Sequence, residues 1–304
     1  MRKMASAEWM EARVNSIIRQ LRMEDKAREN QGKPVLNSPD VLQTRDYIFS
    51  PIKPLDRVGD SGQLLLAKKK SDRSHRYLVK HEFTDCAANE FVYTKLAQAM
   101  DLKMPDAVLF QLSAGEKRHH FKTEYILGTR FLDLVIESPT YQQIREQAIN
   151  WQDYYRFRSM YTMFREADSF EIPLASDGYI YRVDTTASFI LSDGMLSHAG
   201  VNEAIGGIVP KEEIKKYTEQ FNYDNCWQYG GFDSDLSFWI EKHGEECRKF
   251  YLEPLARIQE ISNTYIEDTL NTLCYFYPDF IGDYFKRFIS ALQKQAAIFL
   301  KENR

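Results

Sequence analysis

The first part of the chain alternates short apolar runs with turn-forming residues, a pattern typical of a small β-sheet. Four such runs are predicted as strands, at residues 63–67, 76–79, 107–112 and 120–126. Between the second and third runs, residues 85–100 show helical periodicity and end before Pro105. The predicted order is therefore strand, strand, helix, strand, strand.

The second part of the chain is mainly helical, first over residues 132–164 and again from about residue 211 to the end. One hairpin is predicted between these stretches, because Asp177-Gly178 stands between the apolar segments 172–174 and 179–183. A β-rich part followed by a helical part predicts an α+β protein with a small β-rich lobe and a larger helical lobe.

The N-terminal segment has a different character. Residues 6–30 have strong helical propensity, with an apolar stripe formed by Val14, Ile17, Ile18 and Leu21. This helix is predicted to dock on the domain or on a partner, and the proline-punctuated stretch 32–54 is predicted to be an extended connection. We therefore divide the chain into an N-terminal helical extension with its linker (1–50), a β-rich lobe (51–128) and a helical lobe (129–304).

Composition narrows the class of protein. The 304 residues are 43% hydrophobic and 28% charged, which gives enough apolar material for a sizeable core. The net charge is -4, so no overall electrostatic attraction to nucleic acid or to an anionic membrane is expected. The four cysteines form no C-x-x-C pair, which predicts reduced thiols and no zinc site. No secretory or membrane-spanning segment is evident, so a soluble cytoplasmic protein is expected.

A lysine and a glutamate stand in the β-rich part at positions suited to phosphate chemistry. Lys80 ends the apolar strand 77–79, where an ammonium can serve as a point charge for phosphates if a carboxylate holds its flexible stem. Glu90, on the following helix, is the candidate partner, with Glu82 as a substitute. The alternatives are a solvated lysine on an edge strand and a glutamate on exposed helix surface.

The strand that ends the β-rich part is a candidate nucleotide contact. The backbone of Glu124, Tyr125 and Ile126 is suited to hydrogen-bond an adenine edge, and Gly128 is predicted to let the chain turn into the helical lobe. An ordinary buried strand is the alternative.

Two aspartates flank the second hairpin. Asp168 precedes it, where a carboxylate can orient a substrate hydroxyl and accept its proton. Asp184 follows its second strand, where a carboxylate can hold magnesium bridging nucleotide phosphates. Either residue alone is equally well explained as the cap of a turn. Asp193-Gly194 and the histidines His119, His120 and His198 fit turns and solvated loops better than a metal or acid–base site.

In the order of these residues, from about residue 57 to residue 189, the chain resembles the protein-kinase-like superfamily, and within it the HipA-like kinases. The resemblance implies a two-lobed fold with ATP and Mg²⁺ in the cleft between the lobes. It further implies that Lys80 steadies the phosphates, Glu90 positions Lys80, and residues 123–128 form the hinge, with Glu124 to Ile126 contacting the nucleotide. Asp168 is then the catalytic aspartate and Asp184 the metal ligand.

The chain departs from that family's pattern next to both aspartates. Ser169 follows Asp168 in place of a basic residue, Glu171 falls in the region of an asparagine that binds a second metal ion, and Thr185 follows Asp184. Glu171 is the candidate substitute ligand. The expected function is a serine/threonine-type protein kinase. The alternatives are a catalytically impaired pseudokinase that binds nucleotide or a partner, and a helical interaction protein without a nucleotide site.

Overall fold

The computed structural model describes residues 38–52, 64–79, 84–111, 125–167, 169–189, 211–227, 231–276 and 279–303. Within this part of the chain lie eight strands and eight α-helices, and the chain divides into two compact units. Of the described residues, the sheet unit takes in those before 88, within 107–131 and within 192–220, and the helical unit takes in those within 88–106, 132–191 and 221–304.

The sheet unit is built on six strands: β1 Val41–Gln43, β2 Tyr47–Pro51, β3 Leu65–Lys69, β4 Arg76–Val79, β5 Ala107–Gln111 and β6 Tyr125–Arg130. Their spatial order is β1-β5-β6-β4-β3-β2, with β1 parallel to β5 and every other pair antiparallel. Helix α4, Lys211–Gln220, falls in the same unit.

The sheet begins earlier than the sequence predicts. The proline-punctuated stretch 32–54 was predicted to be an extended connection, but β1 and β2 lie within it and form the two ends of the sheet. Pro51 is compatible with this position because β2 is an edge strand among those described, and an edge strand can dispense with one backbone donor. The sequence analysis therefore missed two strands, because their apolar runs are short and stand next to prolines.

One face of the sheet carries a hydrophobic core in which residues alternate along each strand, as the two-residue period of a strand requires. Its buried members are Tyr47, Leu65, Ala67, Tyr77, Val79, Val108 and Phe110. The Phe110 ring is central, with edge-to-face partners in Tyr47 at 5.0 Å, Phe49 at 5.4 Å and Tyr77 at 5.8 Å between ring centroids.

The prediction that Gly128 lets the chain turn into the helical lobe is wrong. Gly128 lies inside β6 and is paired with Val79 on one side and Val108 on the other. A β-carbon at this position would lie 2.5 Å from Cε2 of Phe110 and 3.3 Å from Cγ2 of Val108. The glycine is therefore explained by the close approach of the Phe110 ring.

We expect Gly128→Ala to destabilise the sheet unit by about 1–3 kcal/mol, because the added methyl group would overlap the fully buried Phe110 ring and force it to shift. Urea denaturation gives the change in the free energy of unfolding. The double variant Gly128→Ala/Phe110→Leu should lose less stability than the sum of the losses in the two single variants, because the smaller leucine makes room for the methyl group. A loss equal to that sum would contradict the steric explanation.

The helical unit contains helix α1, Thr84–Ala99, from residue 88 onward, and six further helices. These are α2 Tyr141–Gln147, α3 Asp153–Met163, α5 Phe232–His243, α6 Cys247–Glu260, α7 Asn263–Phe276 and α8 Asp279–Glu302. Helix α6 packs against both α3 and α8. None of the described helices combines the length and the apolar character needed to cross a membrane.

A short two-stranded sheet completes the helical unit, formed by β7, Leu134–Ile136, and β8, Leu174–Ala175. The predicted helix at residues 85–100 and the helices after residue 211 are confirmed. A six-stranded sheet in one unit and packed helices in the other confirm the α+β class.

His243, the last residue of α5, lies in an aromatic cluster of the helical unit. Its ring stacks on Tyr141 with centroids 4.0 Å apart, and it approaches Tyr155 and Trp239 at 5.7 and 5.5 Å. Its Nδ1 atom is buried and has no hydrogen-bond partner among the described residues. Burial, followed by the nearby cations of Lys242, Arg145 and Arg158, lowers the pKa of His243.

We expect acidification to destabilise the helical unit through His243. A lowered pKa in the folded state means that the stabilising contribution is present above the unfolded value of about 6.5 and is lost as the pH falls below it. The melting temperature should therefore drop on going from neutral to mildly acidic buffer. His243→Phe keeps the stacking surface and should flatten that drop. Equal pH dependence in both proteins would contradict this assignment.

Candidate active site

The predicted second hairpin is confirmed and pairs Glu171 with Val183, the residue before Asp184. Backbone bridges pair Glu171 with Val183 and Leu174 with Ile180, and Gly178 makes the turn with a positive φ of 83°. The Val183 amide donates to the Glu171 carbonyl at 3.2 Å. Asp184 directly follows Val183 in the chain. Glu171 therefore lies across the hairpin from the residue that precedes Asp184.

Asp184 has a strained backbone. Its φ is +55°, and among the described residues only Asp101, Arg165 and Phe189 share a positive φ without being glycine. Aspartate tolerates this conformation better than most residues, and such conformations cluster at functional sites. The side chain is half-buried, and one carboxylate oxygen is 3.4 Å from the Thr186 hydroxyl, which donates to it.

Two loop segments, residues 164–171 and 182–189, are joined to each other by backbone hydrogen bonds. The Ala167 amide donates to the Ala187 carbonyl at 2.9 Å, and the Phe189 amide donates to the Phe164 carbonyl at 2.6 Å. Together with the hairpin bridge, these bonds join the chain on both sides of position 168 to the chain on both sides of Asp184. Asp168 itself lies outside the described residues.

Helix α1 packs against both segments. The Asn89 side chain donates to the Thr186 carbonyl at 2.8 Å, and the Tyr93 hydroxyl donates to the Glu166 carboxylate at 2.6 Å. Glu90 lies between these two residues in the sequence and is 4% exposed. The alternative that Glu90 is exposed helix surface is therefore wrong.

Arg182 is the polar residue at the centre of this arrangement, and it was not found from the sequence. Its side chain is fully buried and forms an ion pair with Glu166. The same guanidinium donates to the carbonyl oxygens of Ser169 at 3.3 Å, Glu171 at 3.1 Å, and Val183. One signal was available in the sequence: Arg182 stands two positions after Ile180, so strand alternation places both on the same buried face.

The electrostatics of the pair favour a charged arginine. Burial, the largest influence, disfavours the guanidinium cation, but Glu166, Tyr93 and Asp184 together raise the pKa of Arg182. Burial, and then the Glu166 carboxylate, raise the pKa of Tyr93 well above its usual range, so its hydroxyl stays a hydrogen-bond donor. The network Tyr93–Glu166–Arg182 thus joins α1 to both loop segments.

Of the other site residues predicted from the sequence, the structure describes some and leaves others outside the described residues. Lys80 and Glu124 lie outside the described residues. Tyr125 and Ile126 begin strand β6, where they are paired with Gln111 and Phe110. The Glu171 side chain is exposed, and its carboxylate accepts a hydrogen bond from the Ser169 hydroxyl at 2.9 Å.

The oxygen donors near Asp184 fit magnesium. Mg²⁺ is usually held by one or two carboxylates together with substrate phosphates and water. Asp184 supplies a carboxylate, and the Thr185 hydroxyl is buried without a hydrogen-bond partner in the described part of the chain. Across the ranges that the structure describes, no three His, Cys, Asp or Glu side chains lie close enough together to bind a metal ion without other ligands.

No family model matches the chain, and no curated protein matches its sequence. Among solved structures, the chain is similar to a proinflammatory kinase of Helicobacter pylori, CtkA, with a TM-score of 0.44 and 12% sequence identity. The match covers 82% of this chain and 96% of that one. At this TM-score and identity, the likeness supports no conclusion about what the chain does.

Proposed function

We propose that the chain is an ATP- and Mg²⁺-dependent phosphotransferase of HipA-like type that phosphorylates a serine or threonine hydroxyl on a protein. The supporting observation is the joining of α1 and the two loop segments by direct hydrogen bonds within the helical unit. These three pieces carry Glu90, the neighbours of Asp168, and Asp184. Asn89 and Thr186, about a hundred positions apart in sequence, are in direct contact, and this supports the proposal that the candidate residues act together.

Each candidate residue has a distinct role in this proposal. The Asp168 carboxylate orients the acceptor hydroxyl and accepts its proton. The Lys80 ammonium pairs with the nucleotide phosphates and is held in place by Glu90, while the backbone of Glu124, Tyr125 and Ile126 contacts the adenine edge.

Asp184 would hold Mg²⁺, with the Thr185 hydroxyl and the Glu171 carboxylate as further oxygen donors. When bound, this ion neutralises the charge that develops on the transferred phosphoryl group. The strained backbone of Asp184 and the buried Thr185 hydroxyl are the observations of this chain that support a ligand at this position.

The expected setting is the cytoplasm, where Cys226, Cys247 and Cys274, free thiols in the structure, would remain reduced. The protein substrate, or a regulatory partner, would be recognised outside the site, and the N-terminal helix predicted from the sequence is a candidate docking element that lies outside the described residues.

The test is nucleotide binding followed by phosphotransfer. The melting temperature of the wild type should rise with ATP and Mg²⁺, because a ligand that binds only the folded state stabilises it, and Lys80→Ala should reduce this rise. Labelled ATP should transfer phosphate to the protein or to an added protein substrate, and Asp168→Ala should abolish transfer. Absence of any thermal shift would refute the proposal. A shift without transfer would instead favour a nucleotide-binding pseudokinase.

A further inference from the structure

The buried Arg182 side chain is bound to more of the backbone than a buried ion pair requires. A single contact with Glu166 would neutralise its charge, and apolar residues often replace such pairs without loss of stability. Arg182 also donates to three carbonyl oxygens, on Ser169, Glu171 and Val183. Two of these follow position 168, and the third belongs to the residue directly before Asp184.

The geometry of the guanidinium explains why arginine stands here. Its planar group carries five N–H donors in a fixed fork, so one side chain can bind several acceptors at defined angles. A lysine ammonium at the end of a flexible stem cannot hold the same acceptors at the same places. The Glu166 carboxylate fixes the guanidinium from one side, and the Tyr93 hydroxyl on α1 fixes that carboxylate.

We infer that Arg182 is a positioning residue, which holds the backbone of residues 169–171 against the backbone that leads into Asp184. The inference rests on the proposed function, because it assigns Asp168 and Asp184 to one reaction centre. Arg182 does not touch the substrate in this assignment. It acts through the carbonyl oxygens of Ser169 and Glu171, which follow position 168, and of Val183, which precedes Asp184. Through the Val183 carbonyl it holds the strained conformation of Asp184.

The test measures metal binding as well as rate. Mn²⁺ serves as the probe, titrated by electron paramagnetic resonance in the presence of a non-hydrolysable ATP analogue, well below the melting temperature of every variant. We expect Arg182→Lys to weaken Mn²⁺ binding by about tenfold or more, the size typical for residues that orient metal ligands. Its kcat should fall, with a smaller change in the KM for ATP.

Arg156→Lys is the matched control. Arg156 also forms buried or half-buried ion pairs in the helical unit, with Asp153 and Glu253, but it contacts neither loop segment in the described structure. This variant should lose stability without losing Mn²⁺ affinity. If Arg182→Lys binds Mn²⁺ as tightly as Arg156→Lys does, the inference is overturned.

A second variant tests the same role if the first one does not fold. If Arg182→Lys does not fold, Tyr93→Phe removes one hydrogen bond from the carboxylate that holds Arg182, and unchanged Mn²⁺ affinity in it would overturn the inference. A wild type that binds Mn²⁺ with the analogue but transfers no phosphate refutes the proposed activity, while the variants still decide the positioning role. A wild type that binds no Mn²⁺ overturns both.

Discussion

Asp184→Asn is expected to lower the rate of ATP-dependent phosphotransfer by on the order of 10²-fold or more, the usual effect of removing one preorganised electrostatic contact from a transition state. The substitution removes the charge that would hold the metal ion and keeps the shape of the side chain. Asparagine also tolerates the positive φ of 55° at this position, so the backbone should be preserved. The measurement is transfer from labelled ATP at saturating magnesium, with circular dichroism to check the fold.

Asp177→Asn provides the matched control in the same hairpin. Asp177 accepts hydrogen bonds from the Tyr179 amide at 3.1 Å through Oδ1 and from the Tyr181 hydroxyl at 2.7 Å through Oδ2. Asparagine keeps the Oδ1 acceptor for the Tyr179 amide, and its Nδ2 can donate to the Tyr181 hydroxyl in place of the bond that Oδ2 accepts. The control removes one negative charge from the hairpin's turn and should leave the rate unchanged. Equal rates for Asp184→Asn and the wild type would exclude Asp184 as the metal ligand.

Glu166→Ala is expected to reduce the free energy of unfolding by about 3–5 kcal/mol, because it leaves the buried Arg182 cation without its carboxylate. The side chains of Arg182 and Glu166 are 0% and 1% exposed, so bulk solvent does not hydrate the guanidinium in the folded protein. Urea denaturation followed by tryptophan fluorescence gives the change, since Trp151, Trp227 and Trp239 all lie in the helical unit.

An exposed ion pair in the same unit serves for comparison. Lys286 and Glu267 are 2.9 Å apart, with side chains 57% and 53% exposed. Glu267→Ala should cost less than about 1 kcal/mol, because solvent screens an exposed pair and hydrates the remaining charge. Losses of similar size in the two variants would show that burial does not determine the strength of the Glu166–Arg182 interaction.

Local patterns in the sequence were sufficient where a segment's structure depends on its own residues. The helical spacing at residues 85–100 predicted α1, and Asp177-Gly178 predicted the hairpin turn, since both signals are contained within a few neighbouring positions. The strands β1 and β2 were missed for the opposite reason. They are three to five residues long and are stabilised by pairing with distant strands rather than by their own propensity.

The same distinction applies to the candidate site. Glu90 and Asp184 were proposed from residue type and order along the chain, but the sequence could not tell whether Glu90 is buried. Arg182 and Glu166 carried no motif, because an arginine is normally a surface residue unless a partner compensates its burial.

The sequence by itself thus determined the α+β class, the principal helices, the hairpin and the identities of the candidate acidic residues, all of which depend on short-range periodicity or on chemical type. The tertiary structure alone decided that α1 packs against the loops beside positions 168 and 184, and that a buried guanidinium links those loops. Such contacts join residues distant in sequence, and their free energy depends on burial and geometry that no local pattern encodes.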